Sequence, residues 1–261
     1  MPALSDLNFL QLLIILAAGL AAGFINTLAG GGSLLTIPAL LFAGLASPVA
    51  NATNRVAVVM QSAAAAGRFR QRGVYRLRDA GPMLVPAFIG AVAGAFTAAE
   101  IDQAVFDIVL GVVLLLMLLT VFFQPTALVR AAGVGAYGDA SPLRRWLTAA
   151  GFLGIGFYGG FVQAGVGFLL IIGITVGFGY DLVKTNALKL LVVAAYSVLA
   201  LGIFAAYGQV LWLHGIVLGL GNVAGALIGV RFALQRGTTA IRWVIVVAVI
   251  LSALKLFGFL G

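Results

Sequence analysis

Residues 22–38, AGFINTLAGGGSLLTIP, break an apolar run with Gly30, Gly31 and Gly32, and residues 156–170, GFYGGFVQAGVGFLL, interrupt a second run with Gly165 and Gly167. Each break opens a stretch that recurs. Sliding the sequence against itself by 135 residues aligns 32–94 with 167–229 without a gap and gives 16 identities in 63 positions. A composition this biased gives roughly a tenth by chance, so the halves read as a duplication. The matches include Gly44 with Gly179, Asn51 with Asn186, Ser62 with Ser197 and Gly73 with Gly208.

The solvent for this chain is lipid. Of 261 residues, 63% are apolar and 8% are charged, too few polar groups to cover a water-soluble fold. Runs long enough for about 30 Å of hydrocarbon recur near 9–28, 33–46, 48–66, 80–99, 104–123, 146–163, 165–179, 182–205, 209–230 and 241–258. They are continuously apolar rather than alternating, which favours helices over a barrel. The first run follows Asp6 and Asn8 with no basic stretch and is expected to stay as a helix rather than act as a cleaved signal. Trp146, Trp212 and Trp243 fall near span ends, as interface anchors do. The expected class is an all-α polytopic membrane protein in a bacterial-type inner membrane.

Loop charge sets the relative orientation of the halves, because Lys and Arg are retained on the cytoplasmic side. Loop 67–78 carries Arg68, Arg70, Arg72, Arg76 and Arg78, whereas its counterpart around 202–213 carries no charge. The next pair reverses, with Glu100 and Asp102 against Arg231, Arg236 and Arg242. Equivalent loops therefore lie on opposite sides, giving two inverted-topology repeats of about five transmembrane or re-entrant segments each. Residues 1–123 form the first repeat, 124–145 a cytoplasmic linker with Arg130, Arg144 and Arg145, and 146–261 the second. A re-entrant pair in place of the first two spans of each half preserves the same parity.

Inverted repeats with broken helices are the usual construction of secondary transporters, whose site lies between the repeats near the midplane. A break exposes backbone N–H groups, which favour anions; the other reading is close helix packing through small residues. Asn26 and Thr27 stand beside the first break and Gln163 lies within the second. The segment PVANATNRVAVVMQS (48–62) places Asn51, Asn54 and Arg55 at i, i+3 and i+4, with Ser62 further along that face. Its counterpart DLVKTNALKLLVVAAYS (181–197) places Asn186, Lys189 and Ser197 likewise.

Arg55 and Lys189 lie about 10 to 12 Å into their helices, at a depth where no carboxylate is found. Asp79, Glu100, Asp102 and Asp139 are in loops, Asp107 and Asp181 are at span ends, and Asp181 is expected to pair with Lys184. Two such cations call for an anionic ligand completed by asparagine amides; the alternative is that both snorkel to the headgroups. His214 reads as an interfacial histidine and Asn222 as an interhelical hydrogen bond.

Other classes fit less well. The formal charge of +8 sits in short loops between spans, where cytoplasmic retention accounts for it without nucleic acid. The chain has no cysteine, hence no thiolate site or disulfide framework. It has no phosphate-binding G-x-x-x-x-G-K-[ST] loop, so transport must draw on gradients, and no cofactor or metal is implied. An intramembrane enzyme would need paired carboxylates or clustered histidines at depth. A passive anion channel or a carboxylate transporter uses the same basic residues and stays open.

The stretch GFINTLAGGGSLLTIPALLFAGLASPVANATNRVAVV (23–59), with QAGVGFLL and VKTNALKLL in the second half, resembles the TauE/SafE sulfite exporter family over nearly the whole chain. The resemblance implies a multi-helix transporter of sulfite, thiosulfate, organosulfonates or related anions. By position it points to Gly30, Gly31, Gly32, Pro38, Asn51 and Asn54, and to Gly165, Gly167, Asn186 and Lys189. Gly173 stands where the first half has Pro38.

Overall fold

A computed structural model describes residues 9–28, 30–122 and 141–256, with no strand among the described residues. The first half contains α1 (Phe9–Leu28), α2 (Ser33–Phe42), α3 (Ser47–Gln71), a 3-10 turn (Leu77–Asp79), α4 (Gly81–Glu100) and α5 (Gln103–Phe122). The second contains α6 (Pro142–Phe161), α7 (Val166–Phe178), α8 (Leu182–Ala206) and α9 (Trp212–Leu256).

The 135-residue offset carries over to the backbone. Shifted by it, α3 coincides end for end with α8. Left-handed glycines recur at the same spacing: Gly30, Gly44 and Gly73 in the first half, Gly165, Gly179 and Gly208 in the second. The helices start differently. Pro48 occupies the first turn of α3, whereas Asp181 caps α8 by accepting from the Val183 and Lys184 N–H groups.

α3 and α8 lie antiparallel. At one end Lys184, in the first turn of α8, pairs with Asp79 just beyond α3 at 2.9 Å. At the other, Thr53 near the start of α3 accepts from the Leu211 N–H just beyond α8. The first two helices of each half fold back as a hairpin. Gly32 lies against Ala22 and Asn26, and Leu40 clusters with Ile15, so α2 returns along α1; Gly173 and Gly177 lie against Phe152 and Thr148, so α7 returns along α6. The two tips touch. A Cβ on Gly30 would sit 2.6 Å from the Gly167 carbonyl carbon, so only glycine permits this approach.

Helix pairing exchanges between halves. α1 packs along α9 through Gly19, Gly23, Gly221 and Gly225, and α4 along α6 through Gly90, Gly94, Gly156 and Gly160. Small residues at such seams let backbones approach where lipid supplies no hydrophobic drive. Outward faces are apolar: Leu13, Ile14 and Leu20 on α1, Val85, Phe88 and Ile89 on α4, and Val105, Ile108 and Val112 on α5 are exposed. Among the described residues four helices, within α1, α4, α8 and α9, are long and apolar enough to cross a bilayer.

Several expected boundaries change. The spans expected at 33–46 and 165–179 are helices of 10 and 13 residues. They reach only about 15 and 20 Å, too short to cross alone, as the re-entrant alternative anticipated. The spans at 209–230 and 241–258 join in one 45-residue helix, because the intervening segment holds no proline and a single Gly237 weakens a helix without ending it. Arg144 and Arg145, expected in the linker, fall in the first turn of α6, while 124–140, including Arg130 and Asp139, lie outside the described residues.

Candidate functional site

The α1 and α6 helices end at the hairpin tips, deep in the molecule, and each leaves its last carbonyls without helical partners. The opposite half supplies the donors. Asn26 and Phe161 are equivalent by the 135-residue offset, and the carbonyl of each is taken by a side chain from the other half's long helix: Lys189 Nζ donates to Asn26 O at 2.8 Å, and Asn51 Nδ2 to Phe161 O at 2.9 Å.

Arg55 does more at the second tip. Its guanidinium donates to the carbonyls of Gly159 and Gly160 and to the Gln163 side chain, and lies 5.5 Å from the centre of the Phe204 ring. Gln163 is itself held in the left-handed region, at φ 63, and its Oε1 also accepts from Ser197 at 3.3 Å. Lys189 has a second acceptor in Asn186 Oδ1 at 2.9 Å, and Asn186 Nδ2 donates back to Leu182 O. Placed at the negative ends of two helix dipoles, both cations are electrostatically favoured.

Both are also fully enclosed, with relative exposures of 0% for Arg55 and 1% for Lys189, so neither snorkels to the surface. The described carboxylates, Asp79, Glu100, Asp102, Asp107 and Asp181, are exposed or half-buried. Lys184 pairs with Asp79 rather than with Asp181, whose carboxylate is engaged in capping α8. Lys184 Nζ reaches across to Asp79 instead, and lies 3.9 Å from the centre of the Tyr180 ring. Burial alone would push the Asp79 carboxyl up, but the Arg76 N–H and Lys184 outweigh it and hold it below its ordinary value.

The remaining expected residues divide. Asn54, one turn from Asn51 and equivalent to Lys189, is wholly buried, and neither of its side-chain polar atoms has a partner. Ser62 Oγ, Asn51 Oδ1 and Arg55 Nε are likewise buried and unpaired. Thr27 turns its hydroxyl to Gly23 O within α1, away from any ligand role. Gly31 is covered by the Phe168 ring, and Gly165 opens α7 in the left-handed conformation. Part of the backbone expected to be open is used inside the tips: the Gly30 N–H donates to Asn26 O, and the Val166 and Phe168 N–H groups close turns onto Gln163 and Gly165. Asn222 is buried with its Oδ1 unpaired.

Sequence reasoning missed Gln61 and Tyr196, which are also equivalent positions. Gln61 Oε1 accepts from Asn26 Nδ2 at 3.0 Å and its Nε2 is unpaired, while the Tyr196 hydroxyl lies unpaired beside Gly159. Each directly precedes a serine of the matched Ser62 and Ser197 pair. Reading that pair one residue outward would have found them.

The sequence profile described as "Sulfite exporter TauE/SafE" matches residues 15–256. "Probable membrane transporter protein ORF9" of a Sinorhizobium species is 31% identical over 255 residues, covering 98% of this chain and 95% of its own. "Probable membrane transporter protein" of Haemophilus influenzae is 29% identical, covering 96% of each. "Probable membrane transporter protein YfcA" of Escherichia coli K12 is 30% identical, covering 94% of this chain and 89% of its own. No solved structure matches the chain.

Proposed function

This chain belongs to the sulfite exporter TauE/SafE family of multi-pass membrane transporters, and we propose that it carries a small anion by alternating access at the two hairpin tips. The observation that carries the reading is the pair of enclosed cations with no carboxylate beside them among the described residues, next to unpaired donors on Asn54, Gln61, Ser62 and the Arg55 Nε. Buried donors without partners cost about 1–3 kcal/mol each, a cost that an anionic oxygen relieves.

The cations have two tasks in this reading. Their carbonyl contacts fasten each tip to the opposite half, and their charge sets a positive potential that the neighbouring amides and hydroxyls direct onto the substrate. The residues we assign to the substrate are Asn51, Asn54, Arg55, Gln61, Ser62, Gln163, Asn186 and Lys189, with the glycines 30–32, 165 and 167 allowing the tips to meet. Asn26 acts through its carbonyl.

Antiparallel α3 and α8, together with loop charge, support inverted repeats spanning 1–123 and 146–261. Exchange of the two conformations of such repeats opens the site to either side. The arginine-rich loops favour a cell inner membrane, and a negative-inside potential drives anion exit by about 2.3 kcal/mol per charge per 100 mV. The substrate class we assign is a sulfur oxyanion or organosulfonate, on the strength of the family description.

Flux of sulfite, thiosulfate and a small sulfonate into proteoliposomes tests this, with wild type compared with Lys189→Ala under varied membrane potential. Saturable, voltage-sensitive flux of one of them that the variant loses is the expected result. Flux that rises linearly with concentration would identify a passive pore, and flux of carboxylates alone would remove the sulfur assignment.

A further inference from the structure

Where α3 ends, Arg68 and Arg72 share a cavity of about 630 Å³ with Arg231 on α9, against an apolar wall of Leu227, Val230 and Leu234. Leu227, Arg231 and Leu234 recur at i, i+4 and i+7, so they line one exposed face of α9, and the cavity opens outward between the helices. None of the three arginines makes an ion pair among the described residues; Arg68 donates to the neighbouring Gln71 side chain at 3.2 Å.

The fold does not require this cluster. At the equivalent place in the other half, 135 residues away, the three arginines become Ile203, Tyr207 and Phe96. There Tyr207 donates to Glu100 at 2.6 Å, closing that end with a neutral donor and a carboxylate. Among the described residues, this end of the architecture gathers three guanidiniums that make no ion pair, and it does so beside apolar residues.

We infer that this cavity seats the headgroup of an anionic phospholipid, with its phosphate among Arg68, Arg72 and Arg231 and the start of its acyl chains along Leu227, Val230 and Leu234. Guanidinium forks match phosphate oxygens, and basic pockets between membrane helices on the cytoplasmic side suit such headgroups. A small free oxyanion would need the arginines but not the apolar wall. The wall therefore favours the lipid, whatever substrate the transporter carries.

The test uses the full-length protein in phosphatidylcholine nanodiscs, titrated with phosphatidylglycerol and, separately, with soluble glycerol phosphate. Saturable retention of phosphatidylglycerol is expected, weakened about fivefold per arginine removed and on the order of a hundredfold in Arg68→Gln/Arg72→Gln/Arg231→Gln. Unchanged unfolding of that variant in phosphatidylcholine alone checks its fold; if it fails to fold, Arg72→Gln alone must still give the fivefold loss. Retention no better than for added phosphatidylcholine, or unchanged in the variants, overturns the assignment. Glycerol phosphate competing as well as the lipid also overturns it, making the cavity a mouth for free oxyanions.

Discussion

Position 54 in the first half and position 189 in the second are the same place in a duplicated helix, yet one is an asparagine with no partner and the other a lysine holding the opposite hairpin tip. The first half places its cation one residue later, at Arg55, where it reaches three acceptors at the other tip. Both halves share the same demand, because each tip ends a helix whose carbonyls need donors. What diverged is the side chain that meets the demand. The divergence leaves Asn54 over, a buried amide with no structural task, and a buried polar group of that kind points to a ligand.

The sharpest way to break the comparison is topological, since its expected outcome is all or none. A cysteine introduced for Arg70 should be shielded from an impermeant outside reagent, and one introduced for Ala206 should be labelled; the native chain has no cysteine to confuse the result. Equal labelling would mean that the two halves are not inverted.

Next in size is Arg55→Leu. It strips donors from Gly159, Gly160 and Gln163 at once, leaving Gln163 only its bond from Ser197, and at about 1–3 kcal/mol for each orphaned carbonyl it should sharply lower folded yield and thermal stability in detergent. Lys189→Ala orphans fewer groups, so the protein should still insert and fold, while flux drops about a hundredfold as a charge-assisted contact worth roughly 3 kcal/mol is lost. Normal flux in that variant would sink the anion site. Asn54→Ala should separate the two halves most clearly. Removing an unpaired buried amide leaves the unfolding temperature unchanged or higher, while transport falls about tenfold, the loss of a single hydrogen bond. A stability loss with normal flux would instead give Asn54 a packing role.

Much of this was legible in the sequence because lipid imposes long apolar runs, and because duplication lets each half check the other. The starts of α3 and α8 and the end of α8 were readable to within a residue, whereas α3 continues five residues past the expected 66, to Gln71, because arginines after an apolar run look like a loop. The joining of 209–230 to 241–258 was not legible, since arginines between two apolar runs look like a loop whether or not the helix continues through them. At the site, the stripe of Asn51, Asn54, Arg55, Asn186 and Lys189 was visible from spacing. What spacing could not show is where the donors point. That Arg55 and Lys189 are spent largely on helix carbonyls depends on two hairpins folding back from opposite ends, a tertiary fact with no local signal. Gln61 and Tyr196 were legible only as the residues that precede the matched serines, with nothing in the spacing to show what they touch.

The smallest effect concerns the contact that joins the halves outside the buried site. Lys184 and Asp79 bridge the start of α8 to the turn after α3, whereas at the opposite end Thr53 and the Leu211 N–H make a neutral bond. Only the first can respond to pH. Because its partners hold the folded carboxyl of Asp79 below the ordinary value of 3.8, the pair contributes in full above that value. The contribution disappears as pH falls through the lowered one. Thermal unfolding of wild type should therefore lose slightly more stability on acidification than Asp79→Asn does, and the two curves should converge at the acid end, where both residues are neutral. The difference should be small, since both side chains stay partly in water and salt screens them. Identical curves at every pH would mean that the neutral end alone holds α3 against α8, and that this bridge contributes nothing to joining the two halves.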